Sequence, residues 1–537
     1  MPAHHLEIER KYESPDGAEL TIDFSSLKGF SIQSPVTEEM DAAYMDTANR
    51  DLSSARVALR RRLGGYDEGW HIKFNGHNGG RHEVTFELLK NREKMPAAVE
   101  HILQGVTAGQ PLQEVVSLKT TRIRTVVTDG AQHQILEICD DTVQAFDFTT
   151  QVERSWHEWE VELIDPGHEK ADEAFSAVDA IITEAGAQES QSIAKIARAM
   201  GQDVAFEQRR GALTEAPEGT AEDDQHQWRP AQTVEYRVRS GLDHLVSDLA
   251  ISDLKVRAEI DDATQQLRVS ARKLAGFIEL AVLPFVSDEQ AEIELNEVIT
   301  ELSELAADTA SVRELVAVRR FMAGHNDYGV ISQSAENELE AMIQKDEEAS
   351  HRAVRRRLDS AEYLELVLFL RSLVLHVQDH IELPREEKEF LSAVAQHGRS
   401  MLKMHLKDSK ALWKAKRADF IDVPECENTL RMIALDAKSV AYALGTCRSA
   451  GLKLPKKIKR LAKLTDQLQE GLIEQRQLQE IHQWLDAATR KVGRAGSDRL
   501  AVGYLLGIAE QKRYTVAYEA HSYVPEQLQK IKDNKIK

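Results

Sequence analysis

The sequence predicts an α+β protein in two regions, an N-terminal β barrel with a charged lumen followed by an all-α half. Three observations carry this. Through the first 200 residues, charged and apolar residues alternate with the two-residue period of a strand; beyond residue 233, apolar residues recur at helical spacing; between them lies a stretch of Gly, Pro and acids. At 537 residues the chain is long enough for two to four domains and their cores.

The strands begin at residue 7. Glu7, Glu9 and Lys11 share one face, with Leu6, Ile8 and Tyr12 on the other. Two carboxylates spaced this way suit a divalent metal, with the lysine for a phosphate, but they equally suit a solvated sheet face, and one strand does not decide. The pattern recurs. Arg60 and Arg62 oppose Val57, Leu59 and Leu63, and Lys73 opposes Trp70, Ile72 and Phe74. Arg81, Glu83, Thr85 and Glu87 alternate with His82, Val84, Phe86 and Leu88. Arg122 and Arg124 flank Ile123, Glu137 sits between Leu136 and Ile138, and Glu158, Glu160 and Glu162 alternate with Trp159, Val161 and Leu163. Seven such strands fit a barrel with charges turned inward. Mixed signs in one cavity suit a highly charged anion that carries a cation.

The same residues form an ordered set of motifs: Glu7-x-Glu9-x-Lys11, Tyr44-Met45-Asp46-Thr47, Leu59-Arg60-Arg61-Arg62, Trp70-His71-Ile72-Lys73, Arg81-His82-Glu83, Arg122-Ile123-Arg124, Glu158 or Glu160 with Glu162, and Lys195-x-x-Arg198 in a closing helix. Over residues 4 to about 200 this resembles a CYTH domain, the triphosphate tunnel metalloenzyme family of inorganic triphosphatases, thiamine triphosphatases and class IV adenylyl cyclases. The resemblance implies an eight-stranded antiparallel tunnel. It assigns Glu7, Glu9, Glu160 and Glu162 to a metal, Mg2+ or Mn2+. It assigns Lys11, Arg60, Arg62, Lys73, Arg122, Arg124 and Lys195 to substrate phosphates. Arg81 is either a further phosphate ligand or half of a wall ion pair with Glu83. Guanidiniums grip phosphate oxygens in pairs, and Mg2+ is typically held by one or two carboxylates plus phosphates and water. Glu158, Glu137 and Lys11 are the catalytic candidates, the two acids for orienting an attacking water.

Residues 1–202 are therefore read as the tunnel domain and 203–232, with Pro217, Gly219 and Glu222-Asp223-Asp224, as a flexible acidic linker. From 233 to 531, segments of about 15 to 25 residues carry helical periodicity, broken by Pro284, Pro384, Pro424 and Pro455. Arg268, Arg272 and Lys273 lie in a run that resembles the first signature of a CHAD domain, with Gln265 in its histidine position; residues 431–442, including Lys438, resemble a diluted second signature. That resemblance implies two four-helix bundles related by duplication and binding of long-chain polyphosphate, through Arg268, Arg272, Lys273 and Lys438. Arg355-Arg356-Arg357 and Lys456-Lys457-x-Lys459-Arg460 are alternative basic faces. His376, His380, His397 and His405 lack partners at metal-ligand spacing.

A net charge of −21 argues against nucleic acid as a partner, so any polyanion site must be a local gathering of bases. Three scattered cysteines, Cys139, Cys426 and Cys447, give no disulfide framework or metal motif. With no signal segment or membrane span in the pattern, the expected compartment is the cytoplasm. Three functions remain open: metal-dependent hydrolysis of inorganic triphosphate or a related triphosphate, ATP cyclisation, and non-catalytic polyphosphate capture.

Overall fold

Strand-period sequence folds as strands throughout the first unit. The computed structural model describes residues 3–15, 20, 22–75, 81–190, 194–201, 233–325, 331–416, 423–495 and 499–536. The stretch expected as a linker, 203–232, lies outside the described residues. The chain divides into two units, 1–225 and 226–537.

The first unit contains β1 (Ala3–Glu7), β2 (Glu9–Glu13), β3 (Ser31–Ile32), β4 (Val36–Asp46), β5 (Ala58–Leu63), β6 (Gly69–Asn75), β7 (Arg81–Phe86), β8 (Gln113–Thr128), β9 (Gln134–Asp147), β10 (Val152–Leu163) and β11 (Gln188–Glu189). All neighbours are antiparallel, in the order β1-β7-β6-β5-β4-β8-β9-β10-β2. The path starts and ends on one run of chain, because β1 and β2 adjoin at Ile8, whose carbonyl accepts from Leu163 N at 3.0 Å. That run gives one edge to β7 and the other to β10, so the sheet closes into a tunnel with no free edge. Among the described residues the expected eight strands become eleven: the N-terminal stave splits in two at Ile8, and the two-residue strands β3 and β11 pair on to β8 and β2. The staves that wall the tunnel number eight.

Among the described residues four helices flank the strands: α1 (Asp51–Ser54), α2 (Ala97–Thr107), α3 (Ala171–Glu184) and α4 (Lys195–Ala199). Ala171, Ala174, Val178 and Ile182 of α3 pack on Tyr12, Val127, Leu136, Ile138, Trp159 and Val161, the outward residues of four staves. This is why alternate residues of β10 are buried on both faces: apolar ones under α3, charged ones in the lumen. Ala199 of α4, with Ile196, packs against Tyr44, Ala58, Leu118, Val143 and Ala145. The helix thus stoppers the lumen's apolar end and carries Lys195 into it.

Beyond residue 233 every long described element is helical: α5 (Val234–Arg257), α6 (Ala263–Phe277), α7 (Glu289–Asp308), α8 (Ala310–Ala323), α9 (Gln333–Leu358), α10 (Ala361–His380), α11 (Glu387–Lys416), α12 (Val423–Ser449), α13 (Lys456–Glu470), α14 (Ile473–Ala495) and α15 (Arg499–Asp533). Thr233, Asp288, Ser332 and Ser360 cap four of them by accepting from first-turn amides. The prolines act as punctuation: Pro284 lies in the turn after α6, Pro455 directly precedes α13, and Pro424 is tolerated in the first turn of α12. Helices run longer than the periodicity suggested, up to 35 residues in α15, which continues through Pro525. One core joins α8 and α9 to α14 and α15. A four-helix group is thus assembled from helices distant in sequence, and the unit has eleven helices among the described residues where two four-helix bundles use eight. At the crossing of α6 and α12, a Cβ on Gly276 would stand 2.9 Å from Ser439 Cα, so glycine sets that close approach.

Candidate active site

Cross-strand register builds the lumen. It sets Glu7 opposite Arg81, Lys73 opposite Glu83, Lys11 opposite Glu160, Glu9 opposite Glu162, and Arg122 opposite Asp141. The result is a cavity of about 270 Å³ lined by both signs of charge.

One side gathers three carboxylates. Glu7, Glu9 and Glu162 each offer an oxygen within 4.8 Å of the others. Glu7 Oε1 takes Lys73 Nζ at 2.7 Å, while its buried Oε2 has no hydrogen-bond partner. Burial opposes ionisation of Glu7, but Lys73 outweighs it and holds the group below its ordinary value. Glu9 accepts from Lys11 Nζ at 3.1 Å and has Arg81 at 3.9 Å. Glu162 makes no ion pair among the described residues; burial, reinforced by Glu7, pushes its carboxyl up to about 8. An orphaned buried oxygen, and a carboxyl this reluctant to ionise beside two others, fit a divalent cation as the missing counter-charge.

A second carboxylate group is already neutralised. Lys195 Nζ lies 2.7 Å from Glu158, 2.6 Å from Glu160 and 3.0 Å from Asp141. Arg122 binds both oxygens of Asp141 at 2.8 and 2.7 Å and reaches Glu160 at 2.8 Å, and Lys11 also contacts Glu160. Burial alone raises Glu160, yet Lys11, Lys195 and Arg122 bring it well below the ordinary carboxylate range. Burial likewise opposes charge on Lys195, and Glu158, Glu160 and Asp141 more than restore it.

Across the lumen stand the arginines of β5. Arg62 pairs with Asp67 of the β5–β6 turn, and Arg60 lies 4.0 Å from the same oxygen and 3.5 Å from Glu83. His71 Nε2 donates to the Asp67 carbonyl at 2.9 Å, and its Nδ1 faces Glu83 at 2.9 Å. Tyr44 is buried beside Arg60 and Arg62, which bring its phenol below the ordinary value against the cost of burial. At the rim, Tyr66 donates to Glu137 at 3.1 Å and Arg124 stacks over the Tyr66 ring at 4.5 Å.

Lys11, Arg60, Arg62, Lys73, Arg81, Arg122, Lys195, Glu7, Glu9, Glu137, Glu160 and Glu162 all line this cavity. Two expected residues stand behind it. Glu158 is 2 % exposed and committed to Lys195 and Trp156 Nε1; Arg124 reaches Glu137 at 3.4 Å and Glu38 at 3.7 Å. Of the four expected metal carboxylates, the lumen groups Glu7, Glu9 and Glu162, while Glu160 sits among three cations. Arg81 Nη1 lies 3.9 Å from Glu9. Sequence reasoning passed over Asp141, Asp67 and Tyr66, and named Tyr44 in a motif without giving it a role. Asp141 was recoverable, since it lies four residues from Glu137 on the same strand face. Asp46 of the Tyr44 motif is structural: fully buried, it accepts from the amides of Thr47, Leu52 and Ser53 and so ties β4 to α1.

The helical unit has its own basic cluster. Arg268 and Arg272 of α6 meet Arg313 of α8, Lys438 of α12 and Arg476 of α14. Burial, then these like charges, bring Arg268 down to about 9, Arg272 to about 10 and Lys438 to about 7. Glu480 serves Arg313 and Arg476, the latter at 3.5 Å, yet Nε of Arg268, Arg313 and Arg476 is buried without a hydrogen-bond partner. Lys273 follows Arg272 by one residue, about 100° further round the helix. Arg355 and Arg357 of the alternative basic run pair instead with Glu259 and Glu301. His405 is held by Asp436 at 2.6 Å and His376 by Asp379 at 3.3 Å.

These two sites fall in two recognisable modules. The family model described as CYTH domain matches residues 5–197, which places the first unit in the triphosphate tunnel family, and that described as CHAD domain matches residues 240–486. The chain carries a CYTH domain followed by a CHAD domain. It is similar to two uncharacterized proteins of Mycobacterium tuberculosis, from strains CDC 1551 / Oshkosh and ATCC 25618 / H37Rv, each 29% identical over 323 residues. The match covers 57% of this chain and 57% of each relative. Among solved structures, the CHAD domain of the plant Ricinus communis matches at 17% identity and TM-score 0.42, covering 58% of this chain and 97% of that one. A Hippeastrum protein described as a candidate adenylyl cyclase with a dominant triphosphatase activity matches at 15% identity and TM-score 0.23, covering 37% and 97%. Among the described residues no helix is long and apolar enough to cross a membrane.

Proposed function

We propose that the tunnel hydrolyses inorganic triphosphate, or a related triphosphate, with Mg2+ or Mn2+, and that the helical unit binds long-chain polyphosphate. The observation that carries the first part is the opposition inside one cavity: a carboxylate trio with an orphaned oxygen faces an arc of fixed lysines and arginines. Simple anion capture has no use for the trio. Glu7, Glu9 and Glu162 would hold the metal, which when bound neutralises phosphate charge and polarises the phosphoryl group. Arg60, Arg62, Arg122, Lys11, Lys73, Arg81 and Lys195 hold and orient the phosphates, Arg62 offering a guanidinium fork. Glu137 is better placed than Glu158 to orient the attacking water, because it lines the cavity and is itself fixed by Tyr66 and Arg124. Lys11, between Glu9 and Glu160, is placed to meet charge that develops on the phosphoryl oxygens.

The test is incubation with tripolyphosphate, ATP or thiamine triphosphate, each with Mg2+ or Mn2+, following phosphate and cyclic AMP. The expected product is phosphate, with rates falling roughly 100-fold or more in Glu9→Gln and Arg62→Ala. Undiminished release from both variants, or cyclic AMP as the main product, contradicts the reading. The buried cations of the helical unit support the second part. Retention on immobilised long-chain polyphosphate at moderate salt is expected to vanish when Arg268 and Arg272 are changed together to Glu, and unaltered retention contradicts it.

A further inference from the structure

The turn between β5 and β6 carries its own anion into the tunnel. We propose that Asp67 is a tethered competitor for the phosphate-binding guanidiniums of Arg62 and Arg60, displaced when a triphosphate enters. The inference rests on the triphosphate reading of the tunnel.

A single oxygen of Asp67 hydrogen-bonds to Arg62 Nη1 and lies 4.0 Å from Arg60 Nη2. That carboxylate oxygen thus occupies, on the Arg62 guanidinium and within ion-pair distance of Arg60, the place a phosphate oxygen would take. The two arginine side chains are only 8 to 9% exposed, whereas that of Asp67 is 27% exposed, so the carboxylate approaches from the solvent side. Its ionised form is secured: burial works against it, but Arg62 and then Arg60 hold it far below the ordinary aspartate value. Asp67 and Arg62 are five residues apart, joined by a turn in which Gly64 and Gly65 take positive φ of 79° and 76°. The contact therefore forms with the fold and needs no ligand.

The turn is held by a different bond from the one that must break. His71 Nε2 fixes the Asp67 main-chain carbonyl at 2.9 Å, so the carboxylate can leave Arg62 by side-chain rotation while the turn stays in place. Displacement then sets a threshold. A lone orthophosphate must give up its hydration for a fork already satisfied by Asp67. A triphosphate brings further phosphates to Lys11, Lys73 and Arg122 at the same time, and so outbids one carboxylate. The same competition favours release of the shorter products. Asp67 thereby raises the affinity an anion must have before it occupies the fork.

The opposite role, a scaffold that aims Arg62, predicts the opposite sign, so one titration separates them. Calorimetric titration of the full chain with tripolyphosphate, in EDTA and at fixed ionic strength, is compared for wild type, Asp67→Asn and Asp67→Ser. Both variants are expected to bind roughly tenfold more tightly, the scale of one charge-assisted hydrogen bond, and to gain by a similar factor for orthophosphate. In an Arg62→Ala background the same substitutions are expected to give no gain, since the fork they release is gone. Unchanged or weaker tripolyphosphate binding in both variants, with wild type binding normally, overturns the role of Asp67 and leaves the triphosphate reading standing. Absence of tripolyphosphate binding in wild type and variants alike, in EDTA and again with Mg2+, overturns both.

Discussion

Lys195 should be the most costly single side chain to remove from the tunnel. Its ammonium is the shared counter-charge of Asp141, Glu158 and Glu160, at 2.6 to 3.0 Å from each, and its side chain is 8% exposed. Lys11, Lys195 and Arg122 face these three acids, with the more exposed Arg198 3.6 Å from Glu158. Lys195→Met keeps the length of the side chain on α4 and leaves one buried negative charge uncompensated. Breaking a buried pair in this way costs about 3–5 kcal/mol. For a unit of this size each kcal/mol corresponds to about 2–4 °C, so its melting transition should fall by about 6–20 °C at neutral pH. The sign of the pH dependence follows from the acids. Asp141 and Glu160 are held below their ordinary values in the fold, against the opposing effect of burial. The stability they contribute is present above the unfolded carboxylate pKa and is lost as pH falls through the folded one. Without Lys195 both rise toward ordinary values, so the deficit of the variant is largest near neutrality and shrinks as pH approaches about 4. Thermal unfolding followed by the far-ultraviolet β signal at several pH values measures this. A variant as stable as wild type at neutral pH, or a deficit that does not shrink on acidification, refutes the reasoning.

Polyphosphate retention by the helical unit should strengthen as pH falls from about 8 to 6, because Lys438, brought down to about 7, gains its charge there; Lys438→Met should flatten that dependence. Arg257→Met should destabilise the same unit by about 3–5 kcal/mol in denaturant titration, since it strands the fully buried Asp253, 2.7 Å from Arg257, and frees the carbonyl of Leu358. Gly64→Ala should cost the tunnel unit about 1–3 kcal/mol, because φ is +79° and a Cβ would stand 2.2 Å from the Glu39 carbonyl oxygen; thermal unfolding equal to wild type would count against this backbone.

Glu7, Glu9, Lys11, Arg60, Arg62 and Lys73 were legible because a strand fixes which face each side chain takes, and a closed sheet has only one interior. Alternation carries no information on who faces whom across the lumen. Glu160 and Glu162 are equivalent in the sequence, yet the stave from residue 9 to 13 delivers Lys11 to the first and Glu9 to the second, making one a satisfied ion and the other a carboxyl raised to about 8. Asp67 was invisible for another reason: it lies in a turn, where no period assigns a face. The split of the first stave depends on a change of partner at Ile8, a tertiary event. In the helical half, Arg268 and Arg272 sit one turn apart and could be paired by eye. Arg313 and Arg476 join them from α8 and α14 through helix packing, which leaves no local pattern.

The central claim is that the tunnel's acids serve a metal while its bases serve phosphate in one reaction. Initial rates of phosphate release from tripolyphosphate, measured against Mn2+ concentration for wild type, Glu162→Gln and Arg62→Ala, test it most directly. The account predicts that the Glu162→Gln rate rises toward wild type only at much higher Mn2+, whereas Arg62→Ala keeps the wild-type Mn2+ dependence and needs more tripolyphosphate. A metal-independent wild-type rate, or two variants that respond alike to Mn2+ and to tripolyphosphate, would contradict it.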